Sequence, residues 1–192
     1  MEHYIRSTRP HQNEVEFRFK KINAFNFQIL KAQFESDKKW KLNIQNDITM
    51  SGVSRIETDL PSEIRCVKGN SVIFNTKKRI QKPFDTREFR ISEAREEIVT
   101  GINDHSFTFI YNVTHKRTRK RYSFTDGNHY FDLTEVYTDN QTVPSYEAEL
   151  ELIKLNYNEL KEIVTKVLEI INNSFVVEKN YNNIVRSNRF VG

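Results

Sequence analysis

Along most of this chain apolar and polar residues alternate with a period of two, the pattern of strands with one buried and one polar face. His11 to Phe19 reads this way, as do Trp40 to Ile48, Glu63 to Val67, Val72 to Ile80 and Glu88 to Ile98. Shorter β-branched or aromatic runs stand at Ser54 to Ile56 and Phe107 to Val113, and the series continues through Lys116 to Phe124, Tyr130 to Thr138 and Ser145 to Leu152. Lys68-Gly69-Asn70 and Asp126-Gly127-Asn128 mark tight turns between neighbouring strands. Two stretches break the rhythm. Ala24 to Lys38 places Phe25, Ile29 and Ala32 on one helical face. Leu160, Ile163, Val164, Val167, Leu168 and Ile171 repeat with helical spacing, predicting a helix over about 157–173. Asn156 and Glu159 stand where an N-cap and its reciprocal partner belong. The tail beyond it is weakly patterned, with Phe175, Val176 and Val177 as its candidate docking residues.

The expected fold is mainly β with flanking α: about eight antiparallel strands over a core of about 11–152, with the C-terminal helix packed outside. No repeat or Pro-rich linker divides residues 1–192, so one domain is expected. So many consecutive strands favour a closed barrel, because closure removes exposed edges.

Composition sharpens this picture. Only 37% of the residues are hydrophobic and 29% are charged, yet Phe and Tyr are plentiful and Gly is scarce. A folded chain of this kind has an unusually polar surface or an unusually polar interior. The net charge of +4 allows an anionic partner without marking a nucleic-acid-coating protein. Cys66 is the only cysteine, which excludes an intrachain disulfide and suits a reducing compartment. No apolar run is long enough to span a membrane and no signal-peptide core stands at the N-terminus, so a soluble intracellular protein is expected.

The polar halves of the strands carry the candidate chemistry. Glu14 and Glu16 share one face near the start, and Glu147, Glu149 and Glu151 share one near the end. Between them Arg117, Arg119 and Arg121 alternate in the same way. A lone Glu-x-Glu strand is usually the wet face of an antiparallel sheet. Two of them with a basic strand between fit better inside a barrel, where buried charges survive only by pairing, staying hydrated or binding ions. Carboxylates two residues apart on a strand lie roughly 7 Å from each other, so a hard divalent cation can sit among them with help from a facing strand. Cationic side chains opposite would neutralise a phosphoryl group. These are the parts of a metal-dependent phosphohydrolase.

Competing chemistries find little support. Cys66 is followed six residues later by Val72 instead of the arginine a cysteine phosphatase needs, and no P-loop occurs. His3, His11, His105, His115 and His129 show no metal-ligand spacing, and most are expected at the surface.

Taken in order, these segments resemble the metal-dependent, tunnel-type RNA 5′-triphosphatases of mRNA capping found in fungi, protozoa and large DNA viruses. The two glutamate strands resemble that family's metal motifs, and Arg117 to Ser123 its phosphate-binding strand. Phe131-Asp132-Leu133-Thr134 resembles the strand that follows, and Phe89 to Ser92, leading to Glu96, the strand bearing a further glutamate. Arg55, Arg65 and Lys77-Lys78-Arg79 match its other basic positions more loosely. The compact length and the Asn, Ile and Lys usage resemble the triphosphatase domain of giant-virus capping enzymes, of the mimivirus kind.

The resemblance implies an eight-stranded tunnel that removes the γ-phosphate from triphosphate-ended RNA, with a side activity on free nucleoside triphosphates. It implies that Glu14, Glu16 and Glu151 hold Mg²⁺ or Mn²⁺, while Glu149 and Glu96 position water or metal-bound waters. Arg65, Lys77, Arg119 and Arg121 would contact phosphates, supported by Arg117, and Glu147, Asp132 and Thr134 would orient those groups. Lys77 is preferred to its neighbours because alternation groups it with Asn75, opposite Phe74 and Ile80. No Lys-x-Asp-Gly nucleophile occurs, so guanylylation would need a fused domain or separate subunit. If viral, the protein would act in the virion or the infected cytoplasm. Two other readings stand beside this one: a tripolyphosphatase or small organic triphosphatase with the same tunnel, and a non-enzymatic RNA-binding barrel.

Overall fold

A computed structural model describes residues 1, 4, 12–139, 141–154 and 156–188, with 175–188 as backbone alone. In chain order the elements are β1 (Glu14–Phe19), α1 (Ala24–Ser36), β2 (Lys41–Ser54), β3 (Glu63–Lys68), β4 (Val72–Arg79), β5 (Phe84–Asp85), β6 (Phe89–Ile98), α2 (Asp104–Ile110), β7 (Tyr111–Thr125), β8 (His129–Thr138), β9 (Ser145–Leu152) and α3 (Tyr157–Asn188). The sheet runs β1-β9-β8-β7-β2-β3-β4-β6, and β6 pairs back onto β1, so eight antiparallel strands close into a barrel. The two-residue β5 pairs with β6 beside the β4 track.

The hydrophobic core lies outside this barrel. Val15, Phe17 and Phe19 of β1 point outward, as do Ala148, Leu150 and Leu152 of β9, and all are buried. Phe27, Leu30 and Phe34 of α1 cover them together with Leu160, Val164 and Val167 of α3. Phe34 stacks on Phe131 with ring centroids 4.1 Å apart. Each outward apolar residue has inward polar neighbours, so burying one face under helices leaves the other lining the barrel.

Local chemistry fixes the helix starts. The Asn23 Oδ1 accepts from the Asn26 N–H at 2.9 Å, and the Asn26 Oδ1 accepts in return from the Asn23 N–H. Asn103 and Ser106 form the same reciprocal cap before α2.

That second cap corrects the expected strand at Phe107 to Val113. Phe107, Phe109, Tyr111 and Val113 alternate like a strand, but the cap launches a helix over Asp104–Ile110 and β7 begins only at Tyr111. Phe107 and Tyr111 pack with Ile64, Cys66 and Phe74 in a second, smaller core, while Phe109 stays exposed. Ser54 to Ile56 is no separate strand: β2 runs unbroken to Ser54 across a bulge at Ser51/Gly52. A Cβ on Gly52 would lie 2.8 Å from the Tyr111 Cβ, so close packing requires glycine there.

Other expectations shift as well. Asn156 does cap α3, accepting from the Glu159 N–H at 3.4 Å, but the Glu159 carboxylate turns instead to Asn128 Nδ2. The α3 backbone continues to Asn188, past the expected end at 173, because no Gly or Pro interrupts it. The proposed docking of Phe175, Val176 and Val177 lies outside the described side chains, and His3 and His11 lie outside the described residues. His129 departs from the expected surface position and is fully buried. Its Nδ1 lies 3.2 Å from Asp126, whose carboxylate also accepts from the backbone N–H groups of Asn128 and His129 and pairs with Lys39 at 3.0 Å. Burial alone would raise the Asp126 acid, but these donors outweigh it and hold it down at about 2.

Candidate active site

Inside the barrel lies a cavity of about 630 Å³. Of the residues to which the resemblance assigns a site role, all but Thr134 line it: Glu14, Glu16, Glu96, Glu147, Glu149 and Glu151, with Asp132, Arg65, Lys77, Arg117, Arg119 and Arg121. Thr134 sits in the wall, buried and opposite Arg121 on β7 and Glu147 on β9. Arg55 does not join the cavity. Its guanidinium donates to the Thr108 and Tyr111 carbonyls at 2.8 and 2.9 Å, tying down the end of α2.

The register explains the grouping. Glu16 of β1 lies opposite Glu151 of β9, and Arg18 opposite Glu149, which in turn faces Asp132 on β8. Strands in a barrel tilt against its axis, so residues at one height lie on a diagonal across the rows. The ion pairs follow such diagonals: Arg121 reaches Asp132 at 3.3 Å although its direct partner is Thr134.

Charges alternate around the wall. The Lys77 ammonium lies 2.9 Å from Glu14, 3.3 Å from Glu16 and 3.6 Å from Glu96. Arg65 pairs with Glu96 and donates to Asn75 Oδ1 at 3.0 Å. Arg119 donates to Asp47 at 2.7 Å, and Arg117 approaches Glu147 at 3.5 Å. Arg18 bridges Glu149 and Glu16.

Even so, carboxylates outnumber the cations within reach. Burial, aided by the neighbouring Glu96, pushes Glu14 up to about 7 against the pull of Lys77. Burial and the Glu16 charge push Glu149 up to about 7 as well. Glu151 and Asp132 are raised by burial too, each with a neighbouring carboxylate adding to the shift. Burial would also raise Glu96, but Arg65, Lys77 and a hydrogen bond with Glu14 hold it below the usual range. A site whose acids resist ionisation is short of positive charge. Among the described residues no three carboxylates are gathered tightly enough to form a ready-made cation cage.

No family model and no curated protein sequence matches the chain. Solved structures do. The mimivirus capping enzyme triphosphatase superposes with a TM-score of 0.63 at 22% identity, over 88% of this chain and 94% of that one. The S. pombe RNA triphosphatase gives a TM-score of 0.57 at 14% identity, over 94% and 87%. The barrel has the fold of these RNA triphosphatases. A chain of the S. pombe Mediator head module shares it at a TM-score of 0.55 and 7% identity, over 83% of this chain and 95% of that one. At such identities the likeness concerns the fold, and the chemistry has to be read from the cavity residues.

Sequence reasoning underweighted two of these. Arg18, on the same face of β1 as Glu14 and Glu16, spans both glutamate strands. Asp47, buried and tied to Arg119 and Thr49, was not singled out. Its signal lay in β2, where Gln45, Asp47 and Thr49 alternate with Ile44, Asn46 and Ile48.

Proposed function

We propose that this chain hydrolyses the γ-phosphate from the 5′-triphosphate end of RNA, leaving a diphosphate end, the first step of mRNA capping. The observation that carries this reading is the facing of carboxylates and guanidinium groups in one cavity of a closed barrel, with Glu14 and Glu149 held up at about 7. The donor set suits Mg²⁺ or Mn²⁺: all its candidates are hard carboxylate oxygens, and a cation, Lys77, already bridges Glu14 and Glu16. Glu14, Glu16 and Glu151 would hold the ion, which when bound polarises the phosphoryl group.

The chain's own residues do the rest. Arg65, Lys77, Arg119 and Arg121, supported by Arg117, take the phosphate oxygens and neutralise charge gathering on the leaving β-phosphate oxygen. Asp47, Asp132, Glu96 and Glu147 hold those cations in place. Glu149, with a pKa near the working pH, accepts the proton of the attacking water as the bond to the γ-phosphorus forms. The bond from that phosphorus to the bridging oxygen then breaks, and inorganic phosphate leaves. Free nucleoside triphosphates present the same three phosphates and are expected substrates. Guanylylation of the product falls to another catalytic unit.

Release of phosphate from γ-labelled triphosphate RNA tests this. It should require Mg²⁺ or Mn²⁺, stop in EDTA and fall by at least about 100-fold in Glu149→Gln, the range for losing a general base. Full activity in EDTA, or an unimpaired Glu149→Gln protein, would overturn it.

A further inference from the structure

The two mouths of the barrel differ in a way that hydrolysis of a bare triphosphate does not require. Beyond Glu151 and Asp132 at one end, the register places Tyr130 on β8, Ser123 on β7 and Gln45 on β2. On the opposite wall it places Ile73 on β4 and Ile98 on β6, diagonal neighbours through Val67 and Asn75. None of these five carries a charge. Tyr130, Ile73 and Ile98 are 39%, 41% and 75% exposed although their strand faces turn inward. The other mouth carries Arg18, Arg117 and Glu147. Large apolar side chains at the entrance of a charged tunnel lose free energy to water unless something apolar covers them.

The strand order sets Tyr130 across the barrel from Ile73 and Ile98, since β8 and β4 lie four strands apart in a ring of eight. Amide and hydroxyl groups such as Gln45 and Ser123 suit the polar edge of an aromatic ring held between these two walls. From Tyr130 to Thr134 is four residues, roughly 13 Å along the strand. That depth leads from this mouth past Arg121 to the height of Arg119, Glu149 and Lys77. A nucleoside triphosphate has this same order of parts, an aromatic base, a sugar and then a row of anions.

Resting on the reading of the cavity above, we propose that the first nucleoside of the substrate is held at this mouth, its base between Tyr130 and the Ile73–Ile98 wall. RNA then enters at this end, the γ-phosphate points inward, and released phosphate leaves past Arg18 and Arg117. This makes the protein a nucleotide-selective triphosphatase and separates it from a tripolyphosphatase, whose substrate has nothing to place there.

Steady-state kinetics on γ-labelled RNA, GTP and inorganic tripolyphosphate distinguish the cases. Tyr130→Ala should raise KM for RNA and GTP by about 5- to 100-fold, the effect of losing base–aromatic stacking, and leave tripolyphosphate hydrolysis within twofold of wild type. Ile98→Ser, at an exposed position that tolerates substitution, should raise KM for RNA and GTP by removing apolar contact with the base and leave tripolyphosphate unaffected. Unchanged RNA and GTP kinetics in both variants, or equal loss on all three substrates, would overturn the proposal. Failure of the wild-type protein to hydrolyse any of the three would instead overturn the triphosphatase reading itself.

Discussion

Lys77 shows how a single side chain reconciles folding with function. Without it, Glu14 and Glu16 of β1 and Glu96 of β6 would face one another with only Arg18 and Arg65 to offset them. Its presence is not enough to ionise them all, and burial holds Glu14 and Glu149 at about 7, well above about 4.3 for an unfolded glutamate. In that window the folded chain retains protons that the unfolded chain has lost. Their contribution to stability is complete below about pH 4 and fades as pH rises through 7. The metal-free protein should therefore melt at a lower temperature at pH 7.5 than at pH 5.5, and Mn²⁺ should restore the difference at pH 7.5 by replacing those protons. Calorimetric scans at the two pH values, with and without Mn²⁺, provide the check. A melting temperature that rises with pH in the absence of metal would contradict this account. The inward placement of Glu14 and Arg121 was legible because strand alternation fixes the face a side chain occupies. That Lys77 stands between Glu14 and Glu16 was not, because the contact arises only when β6 closes onto β1 and brings β4 alongside.

At the scale of elements, the strands were read correctly wherever one face was apolar throughout, as in β1 and β9. The misreading of α2 has a definite origin. Four aromatic or β-branched residues at alternate positions satisfied the strand pattern, whereas the competing signal was a two-residue cap at Asn103 and Ser106. The burial pattern shows the cost of that helix: Phe107 goes inward and Phe109 stays in water. The close fit of α2 over β2 makes Gly52 its most sensitive contact. Gly52→Ala should destabilise the protein by about 1–3 kcal/mol through overpacking against Tyr111 and Phe107, measured by urea denaturation. A stability within about 0.5 kcal/mol of wild type, the usual range of a surface change, would show that α2 gives way without strain.

For the whole molecule, the barrel and its helices form an inverted arrangement, with charge within and hydrocarbon without. Phe17, Leu150 and Phe131 belong to the buried cluster that α1 and α3 complete. A chain ending before Tyr157 would expose this outer face and should fail to give a cooperative thermal transition, as seen by circular dichroism and dye binding. A truncated chain that still melts cooperatively would place the source of stability in the strand ladder instead.

The same inversion separates what holds the protein up from what it works with. Because the apolar support lies on the far side of the strands, most fully on β1 and β9, a glutamate in the tunnel can change to glutamine, or an arginine to another polar group, without touching that support. Selection can thus rewrite the interior for a different anion, or abandon chemistry there altogether, while the wall stays in place. A barrel shared at 7% identity with a chain of the Mediator head module is the kind of divergence such a separation permits.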